Sequence, residues 1–431
     1  MNKKFFIMIY KFNFLKIVQY LFYLFPFSLI LGSMIVNINM ILFLIFGFIY
    51  VVKNKIKIIF DLKNLLLLAF FLTIILSSLI NVELIGEINF FKSILLIKFF
   101  LIFVLIECLL IEDKLKINVF FKICLIFVII VSLDIILQFF IGKNIFGFEP
   151  WEGRITGLFG SEAIAGGYIQ KFFIFSLISI FTIKFLKSYY KDFFQVSIIL
   201  ILLLASSLAS NRMSFVIVFA LIIFLISFYK IIRKKILIAF LIFLPIFLLI
   251  FKNNTELKLL YSHFYENVNI ITNKTFEKIS SDKKDNLDYS NKSHLKIFST
   301  SFKSFSEKKI IGNGLKSLRY KCIDFVQKDD GVCSSHSHNY HLEVLHDTGI
   351  VGFIFISLFV LILLISKYKN LSSSNISYLN KFIISLICLN FLIEIFPIKS
   401  SGSLFSTWTG TILWISVALT TYNGDLKNKN E

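Results

Sequence analysis

Long apolar stretches cover most of the chain, and short polar connections separate them. Many of these stretches approach the roughly 20 residues that an α-helix needs to cross a bilayer. They are too long and too uniformly apolar for barrel strands, so we interpret them as helices that pair their own backbone groups within lipid. The pattern predicts an all-α integral membrane protein. The predicted spans are 17–34, 36–52, 64–81, 90–111, 118–141, 166–186, 193–210, 212–229, 236–251, 349–366, 379–397 and 407–422.

Lysine residues are concentrated in alternate connections between these spans. Because basic residues are retained on the cytoplasmic side of a membrane, these connections and both termini are predicted to be cytoplasmic. The short connections on the outer side carry few basic residues, namely Lys143, Arg154, Arg212 and Lys399. We therefore expect an even number of crossings, about twelve transmembrane helices in all. No small-residue cleavage site follows the first stretch, which we interpret as a retained span.

This topology divides the chain into three parts. Residues 1–251 hold helices one to nine with an outer loop at 142–165, residues 252–348 form one large periplasmic loop, and residues 349–431 hold the last three helices and a short cytoplasmic tail. The stretch 273–293 is rich in Lys, Asn, Ser and Asp, which predicts a mobile loop tip.

The formal net charge of +19 could indicate a protein that binds nucleic acid. The lysines lie mainly in the short connections between apolar stretches, however, where they determine membrane orientation. We therefore expect no nucleic-acid partner. The abundance of Lys, Asn, Ile and Phe with few Pro is typical of AT-rich bacterial coding sequences.

The chain has five cysteines. Cys108, Cys124 and Cys388 lie within predicted spans and are interpreted as small apolar residues. Cys322 and Cys333 share the large outer loop, where an oxidising compartment would permit a disulfide just before a histidine-rich segment. The spacing alone leaves open whether the two sulfurs meet.

Four of the six histidines lie between Ser335 and Gly352, at the border of the last outer loop and an apolar stretch. These are His336, His338, His341 and His346, with Glu343 among them. Their spacing matches no zinc signature, so we expect neither a metal nor another cofactor. Helical spacing makes His341 and His346 packing residues at the interface. His338 is the candidate for chemistry because of its place on the predicted outer face.

Three residues that can carry chemistry share the predicted outer face: Arg154, Arg212 and His338. Arginines that only anchor a span favour the cytoplasmic side, and these two do not follow that bias. Two permanent cations and an imidazole at the headgroup level favour a site for an anionic, lipid-linked substrate.

Three carboxylates lie within or at the ends of predicted spans, where a charge is costly and marks a pathway or a partner. Glu394 lies near the outer end of the eleventh span and could join the site. Glu107 and Asp134 could instead form buried pairs with Lys98 or Lys171.

Four short motifs resemble those of the superfamily of O-antigen ligases and polymerases. The segment from His338 to Glu343, followed by Gly349–Gly352, resembles the family's His-Asn-x-x-Leu…Gly-x-x-Gly signature. The other three are Arg154–Gly160, similar to an Arg-x-Thr-Gly-x-Phe loop; Ser210-Asn211-Arg212, similar to a Ser-Arg turn; and Ile310–Gly314, similar to an Ile-Gly-x-Gly segment. The chain departs from the family pattern at Ser161–Ala163, where Asn-Pro-Asn is common, and at Asn211, which separates the serine from the arginine.

The resemblance implies a GT-C-like fold and a metal-independent, inverting glycosyltransferase at the periplasmic face of the bacterial inner membrane. The donor it implies is a glycan on undecaprenyl diphosphate. In that family Arg154 and Arg212 would bind the diphosphate and His338 would be the general base. Asn339, His336 and Glu394 are candidates for acceptor contacts or for support of the site.

Several functions fit this resemblance. The leading one is an O-antigen ligase-like enzyme with an acceptor such as a lipid A core sugar. An O-antigen or exopolysaccharide polymerase and a protein O-oligosaccharyl ligase are the alternatives within the superfamily. A transporter of lipid-linked glycans is the alternative from another class, but it should show broken helices and polar residues near mid-membrane.

Overall fold

The computed structural model describes residues 13–151, 153–182, 188–209, 211–259, 261–262, 265, 294–328, 331–374 and 376–424. The predicted mobile stretch 273–293 and Ser210 of the Ser-Asn-Arg motif lie outside the described residues.

Within the described residues the chain is helical, with no strand beyond an isolated bridge between Trp151 and Arg154. The helices of the first part are α1 Phe14–Tyr23, α2 Phe25–Leu31, α3 Ser33–Lys53, α4 Leu62–Ile80, α5 Val82–Ile85, α6 Glu87–Leu95 and α7 Ile97–Ile111. They are followed by α8 Ile117–Ile141, α9 Ala165–Thr182, α10 Ser188–Leu208, α11 Arg212–Phe228 and α12 Lys230–Asn253. The last are α13 His294–Glu307, α14 Leu318–Val326, α15 Tyr340–Ser372, α16 Tyr378–Glu394 and α17 Thr407–Leu419.

Eight helical segments in the described part are long and apolar enough to cross a membrane, or nine if the bent pair α1–α2 counts as one span. Large apolar side chains remain exposed along these helices, for example Ile41, Leu72 and Ile126. Contiguous exposed apolar surface of this kind is suited to lipid rather than to water. The protein is a multi-helix membrane protein.

A helix occupies the position of every predicted span, but several are shorter than a bilayer requires. α11 and α17 are apolar helices of 17 and 13 residues. The number of twelve crossings and the orientation of the chain therefore stay predictions.

Backbone contacts divide the chain into two compact units, described here separately. The first unit comprises Met1–Ile117 and Asn291–Glu431, and the second comprises Asn118–Ser290. The division differs from the three parts drawn from membrane topology because the first unit joins the two ends of the chain.

In the first unit, α15 is broken at Gly349, close to the predicted start of the tenth span. Gly349 has a φ of 68° and a ψ of −168° inside an otherwise helical run. A Cβ atom there would lie 2.2 Å from the carbonyl oxygen of Ile310, so only glycine fits this crossing of two backbones. The break separates a short helical segment, 340–348, from the apolar segment that follows.

A buried ion pair inside the first unit corrects one expectation. Glu107 pairs with Lys63 at 2.8 Å, and the amide of Asn64 donates to the same carboxylate at 3.0 Å. Lys98 instead donates to the Asn37 side chain at 2.8 Å. The partner of Glu107 is therefore Lys63, the second residue of α4, and neither of the two lysines that the sequence left open.

In the second unit, polar side chains of α8 organise the outer loop that follows. Asp134 accepts the backbone N–H of Ile145 at 2.8 Å, rather than serving only as an ion-pair partner. Gln138 accepts the N–H groups of Thr156 and Gly157 at 3.1 and 2.8 Å. These bonds hold both ends of the loop that carries Arg154.

Candidate active site

His338 lies in the loop immediately before α15, and its backbone is held in an unfavourable conformation. Its φ is 52°, in the left-handed region that a non-glycine residue rarely adopts. Its carbonyl oxygen accepts the N–H of Ser401 at 2.8 Å. A strained residue is retained only where its surroundings hold it, and such residues are frequent at functional sites.

Asn339 fixes the segment that follows His338. Its side-chain oxygen caps α15 by accepting the N–H groups of His341 and Leu342 at 3.0 and 3.1 Å. Its side-chain nitrogen donates to the carbonyls of Pro397 and Lys399 at 2.5 and 3.2 Å. Asn339 therefore supports the site by tying the start of α15 to the loop between α16 and α17.

Three imidazoles meet at His338. The ring of His336 lies 3.9 Å from that of His338, and the ring of His294, at the start of α13, lies 4.9 Å from it. Burial, with the charges of His336 and His294, lowers the pKa of His338 from 6.5 to about 4. His338 is therefore neutral near pH 7, the form that can accept a proton. We call these three residues the histidine site.

Two buried carboxylates, Glu394 and Glu343, bind the loop between α16 and α17. Glu394 is 1% exposed and pairs with Lys399 at 3.1 Å. Glu343 accepts the hydroxyl of Ser403 at 2.5 Å and the N–H of Leu404 at 2.7 Å. The arrangement gives Glu394 a supporting position, because its charge is directed at the loop that also binds Asn339.

The remaining two histidines of the segment have structural contacts. His341 lies 2.7 Å from the carbonyl of Ile395 through Nε2. His346 is fully buried between Ser304, 3.0 Å from its Nε2, and Asp347, 2.7 Å from its Nδ1. This Ser-His-Asp chain has the order of a nucleophilic triad, but a serine with no exposed surface cannot reach a substrate.

The disulfide between Cys322 and Cys333 is formed in the structure, with an S–S distance of 2.03 Å. It joins α14 to the loop that leads to His336, and Cys322 packs with Ile297 and Leu318 in a small core. It therefore ties the approach to the histidine site to helices α13 and α14.

In the second unit, Arg154 and Arg212 lie within range of each other's charge. Arg154 is exposed, on a backbone bridge to Trp151. Arg212 begins α11, directly after Asn211, whose side chain caps the helix through the N–H of Ser214 at 3.2 Å. Neither arginine has an ion-pair partner among the described residues. We call this pair the arginine site.

The start of α9 packs closely against the arginine turn. A Cβ atom on Gly166 would lie 3.1 Å from the Cβ atoms of Ala209 and Asn211. Two cations without an ion-pair partner in the part of the chain that the structure describes, held next to a helix start and on a braced loop, can bind an anion with little rearrangement.

Two neighbours of these sites gave no signal in the sequence. Tyr261 donates to the carbonyl of Ser207 at 2.9 Å and lies within range of the charge of Arg212. Burial raises the pKa of Tyr261, and the charge of Arg212 partly opposes this increase. His294 is 44 residues before His338, in a polar stretch without periodicity, so only the tertiary structure shows that it belongs to the histidine site.

The chain resembles a known family over part of its length. Residues 196–357 match the family model described as O-antigen ligase. This segment includes Arg212 and His338 and leaves out Arg154 and Glu394. No curated protein matches the chain at a significant level.

Proposed function

We propose that this chain is an O-antigen ligase-like glycosyltransferase. The support is its set of long apolar helices and the match of residues 196–357 to the family model described as O-antigen ligase. The chain transfers a glycan from undecaprenyl diphosphate to a hydroxyl group of a periplasmic acceptor, such as a lipid A core sugar. The enzyme acts at the outer face of the bacterial inner membrane.

The observation that carries the proposal is the state of His338. Its imidazole is neutral near pH 7, its backbone is fixed in the left-handed region, and the side chain of the next residue, Asn339, is hydrogen-bonded to the loop between α16 and α17. The acceptor hydroxyl becomes acidic as its oxygen bonds to the anomeric carbon, so a neutral imidazole of low pKa can accept its proton at that stage. We therefore assign to His338 the removal of that proton late in the reaction.

The electron and proton balance of the step is simple. The acceptor oxygen forms a bond to the anomeric carbon while the bond from that carbon to the diphosphate oxygen breaks. The proton of the hydroxyl goes to His338, and undecaprenyl diphosphate leaves. Direct displacement inverts the configuration at the anomeric carbon.

The diphosphate gains negative charge as it leaves, and arginine can stabilise this charge through paired hydrogen bonds. We assign this role to Arg154 and Arg212, which have charges that nothing in the described part of their unit neutralises. Arginine suits it better than lysine because the guanidinium is planar and always charged.

The first test is genetic. The gene is deleted in its bacterium and restored as the wild type, as His338→Asn or as the matched exchange His341→Gln, which keeps a donor near the Ile395 carbonyl. We expect the wild type and His341→Gln to place polymer on the lipid A core, and His338→Asn to leave it on the lipid carrier.

The same gel separates the alternatives. A core that bears only single repeat units in the deletion strain would indicate a polymerase. An unchanged lipopolysaccharide ladder in all strains would contradict the ligase proposal and direct attention to protein acceptors or to transport of lipid-linked glycans.

A further inference from the structure

A second group of cations lies in the first unit, beside the histidine site. Its centre is Lys316, which follows the Gly312–Gly314 turn and adopts a left-handed φ of 56°. The N–H of Lys316 donates to Asp347 Oδ2 at 2.8 Å, which fixes this conformation. A left-handed backbone costs free energy for lysine. It also gives the Lys316 side chain a direction that it would not have in an ordinary turn.

Three further cations lie within range of Lys316. Arg319 and Lys92 act directly on its charge, and Lys316 acts in turn on Lys98. Burial, together with the charges of Arg319 and Lys92, lowers the pKa of Lys316, although Glu343 and Asp347 partly oppose the decrease. We call Lys92, Lys98, Lys316 and Arg319 the basic cluster.

The nearby carboxylates do not neutralise the basic cluster. Glu343 is bound to Ser403 and Leu404, and Asp347 is bound to His346 and to the backbone of Lys316. No ion pair or hydrogen bond occupies the ammonium group of Lys316 among the described residues. The ammonium group of Lys316 can therefore bind an added anion, although Glu343 and Asp347 still act on its charge.

The basic cluster belongs to a braced part of the unit. The N–H of Leu315 donates to the hydroxyl of Ser78 at 3.1 Å, and the amide of Asn81 donates to the carbonyl of Gly312 at 3.1 Å. Asn89 of α6 donates to the hydroxyl of Tyr320 at 3.0 Å. These bonds join α4 and α6 to the segment 312–320, so the backbone that carries Lys316 and Arg319 is fixed against these helices.

The basic cluster is also close to the residues proposed for chemistry. The charges of Lys316 and Arg319 both act on His336, whose ring lies 3.9 Å from that of His338. Burial is the main reason that the pKa of His336 is lowered, and these two cations add to the decrease. An anion bound at the basic cluster would therefore lie next to the histidine site.

We propose that Lys316, with Arg319, Lys92 and Lys98, binds a phosphate group of the substrate beside His336. This inference rests on the proposed glycosyl transfer and adds a phosphate-binding site to it. The phosphate could be carried by the acceptor glycolipid or by the diphosphate of the donor, since both offer the same chemistry. A lysine such as Lys316, with cations nearby and no hydrogen bond to its ammonium group among the described residues, is suited to a ligand that brings its own negative charge.

The direct test is binding of inorganic pyrophosphate to the purified full-length protein in phosphatidylcholine nanodiscs. The background is the double variant Arg154→Ala/Arg212→Ala, so that the arginine site does not contribute. Lys316→Asn removes the charge and tolerates the left-handed backbone. The matched control is Lys55→Asn, since Lys55 is also a left-handed lysine, with a φ of 52°, in an exposed turn of the same unit.

We expect Lys316→Asn to weaken pyrophosphate binding about tenfold or more, the size typical of losing one hydrogen bond to a charged group. Lys55→Asn should bind like the background, and Lys316→Arg should keep most of the affinity. Equal affinity in the Lys316→Asn and Lys55→Asn variants would overturn the proposal. Two further results together would overturn a substrate role: loss of pyrophosphate binding in discs that contain anionic phosphatidylglycerol, and no effect of Lys316→Asn on glycan transfer. They would assign the basic cluster to lipid headgroups.

A transfer assay on the otherwise wild-type chain identifies the source of the phosphate. A KM that rises for a phosphorylated acceptor but not for its dephosphorylated form would assign the cluster to the acceptor. A rise in the KM of the lipid-linked donor would assign it to the donor diphosphate. If pyrophosphate binding depends on Lys316 but no variant or wild-type protein transfers glycan, the phosphate site stands and the proposed transferase function fails.

Discussion

The histidine site and the arginine site differ in how the amide and charged side chains at each site are paired. Asn339, beside His338, binds four backbone groups, and Glu343 and Glu394 have donors of their own. Arg154 and Arg212 have braced backbones but no counter-charge among the described residues. The first pattern suits a group that must stay in one place and one protonation state. The second pattern suits cations that bind an anionic ligand.

This comparison predicts that the largest loss follows a change at His338. His338→Asn keeps a residue that tolerates the left-handed backbone but removes the proton acceptor. We expect transfer to fall by about 10²- to 10⁴-fold, the range of general base catalysis. The measurement is transfer of lipid-linked glycan by purified protein, with His341→Gln as the control. A loss of the same size in the control would show that the segment fails structurally rather than chemically.

The next largest effect is expected in the arginine site. Arg212→Ala should reduce kcat by about 10²- to 10³-fold, because one preorganised donor to a developing charge is lost. Arg212→Lys should recover only part of this activity, since lysine cannot form the paired hydrogen bonds.

The matched control for the arginine site is Arg233→Lys in the same unit. Arg233 donates to the carbonyls of Ile226 and Ser227 at 2.6 and 2.7 Å, so its role is to close a helix end. We expect Arg233→Lys to retain most of the activity. Equal losses in Arg212→Lys and Arg233→Lys would mean that Arg212 also acts only as a structural contact.

Much of the overall plan could be predicted from the sequence, and the reason is periodicity. Apolar stretches mark each span, and the tenth was predicted to start at Gly349, where α15 is broken. The pattern could not show that a polar end continues the helix: α15 begins at Tyr340, nine residues earlier. The cap at Asn339 decides that start, and a cap is a local contact that hydrophobicity does not report.

The sites were predicted only in part, because their composition depends on contacts between distant residues. His338, Arg154 and Arg212 could be proposed from motifs and from charges on the unexpected side of the membrane. His294 approaches His338 because α13 packs near the start of α15. Lys316 lies near His336 because the segment after the Gly312–Gly314 turn also packs there. Neither leaves a pattern along the chain.

A smaller effect concerns pH and the crowding at the histidine site. Catalysis needs neutral His338, whose pKa is lowered to about 4, so kcat/KM should stay level as pH falls from 7 and decrease only as pH passes through about 4. His336→Asn removes one repelling charge, which should move this acid limb upward, toward the ordinary histidine value of 6.5. A limb near 6.5 in the wild type would contradict the idea that the histidine site keeps its base neutral.

The smallest effect is expected from loss of the disulfide. It lies just before His336 in the chain and makes no contact with substrate in the proposed mechanism. The double variant Cys322→Ser/Cys333→Ser opens a loop with a sequence separation of 11 residues. Closing a loop of this size stabilises a folded region by about 2–3 kcal/mol. We therefore expect faster proteolysis of the segment that joins α14 to His336, measured in the presence and absence of a reductant.

Transfer should fall by less than about tenfold, because Asn339 and Ser401 still hold the backbone of the site. Cys388→Ala is the matched control, since Cys388 is a free buried cysteine of the same unit. In this variant the disulfide is intact, so the reductant should still accelerate proteolysis of the segment. A loss of transfer as large as that of His338→Asn would show that the histidine site is held mainly by the disulfide rather than by its hydrogen bonds.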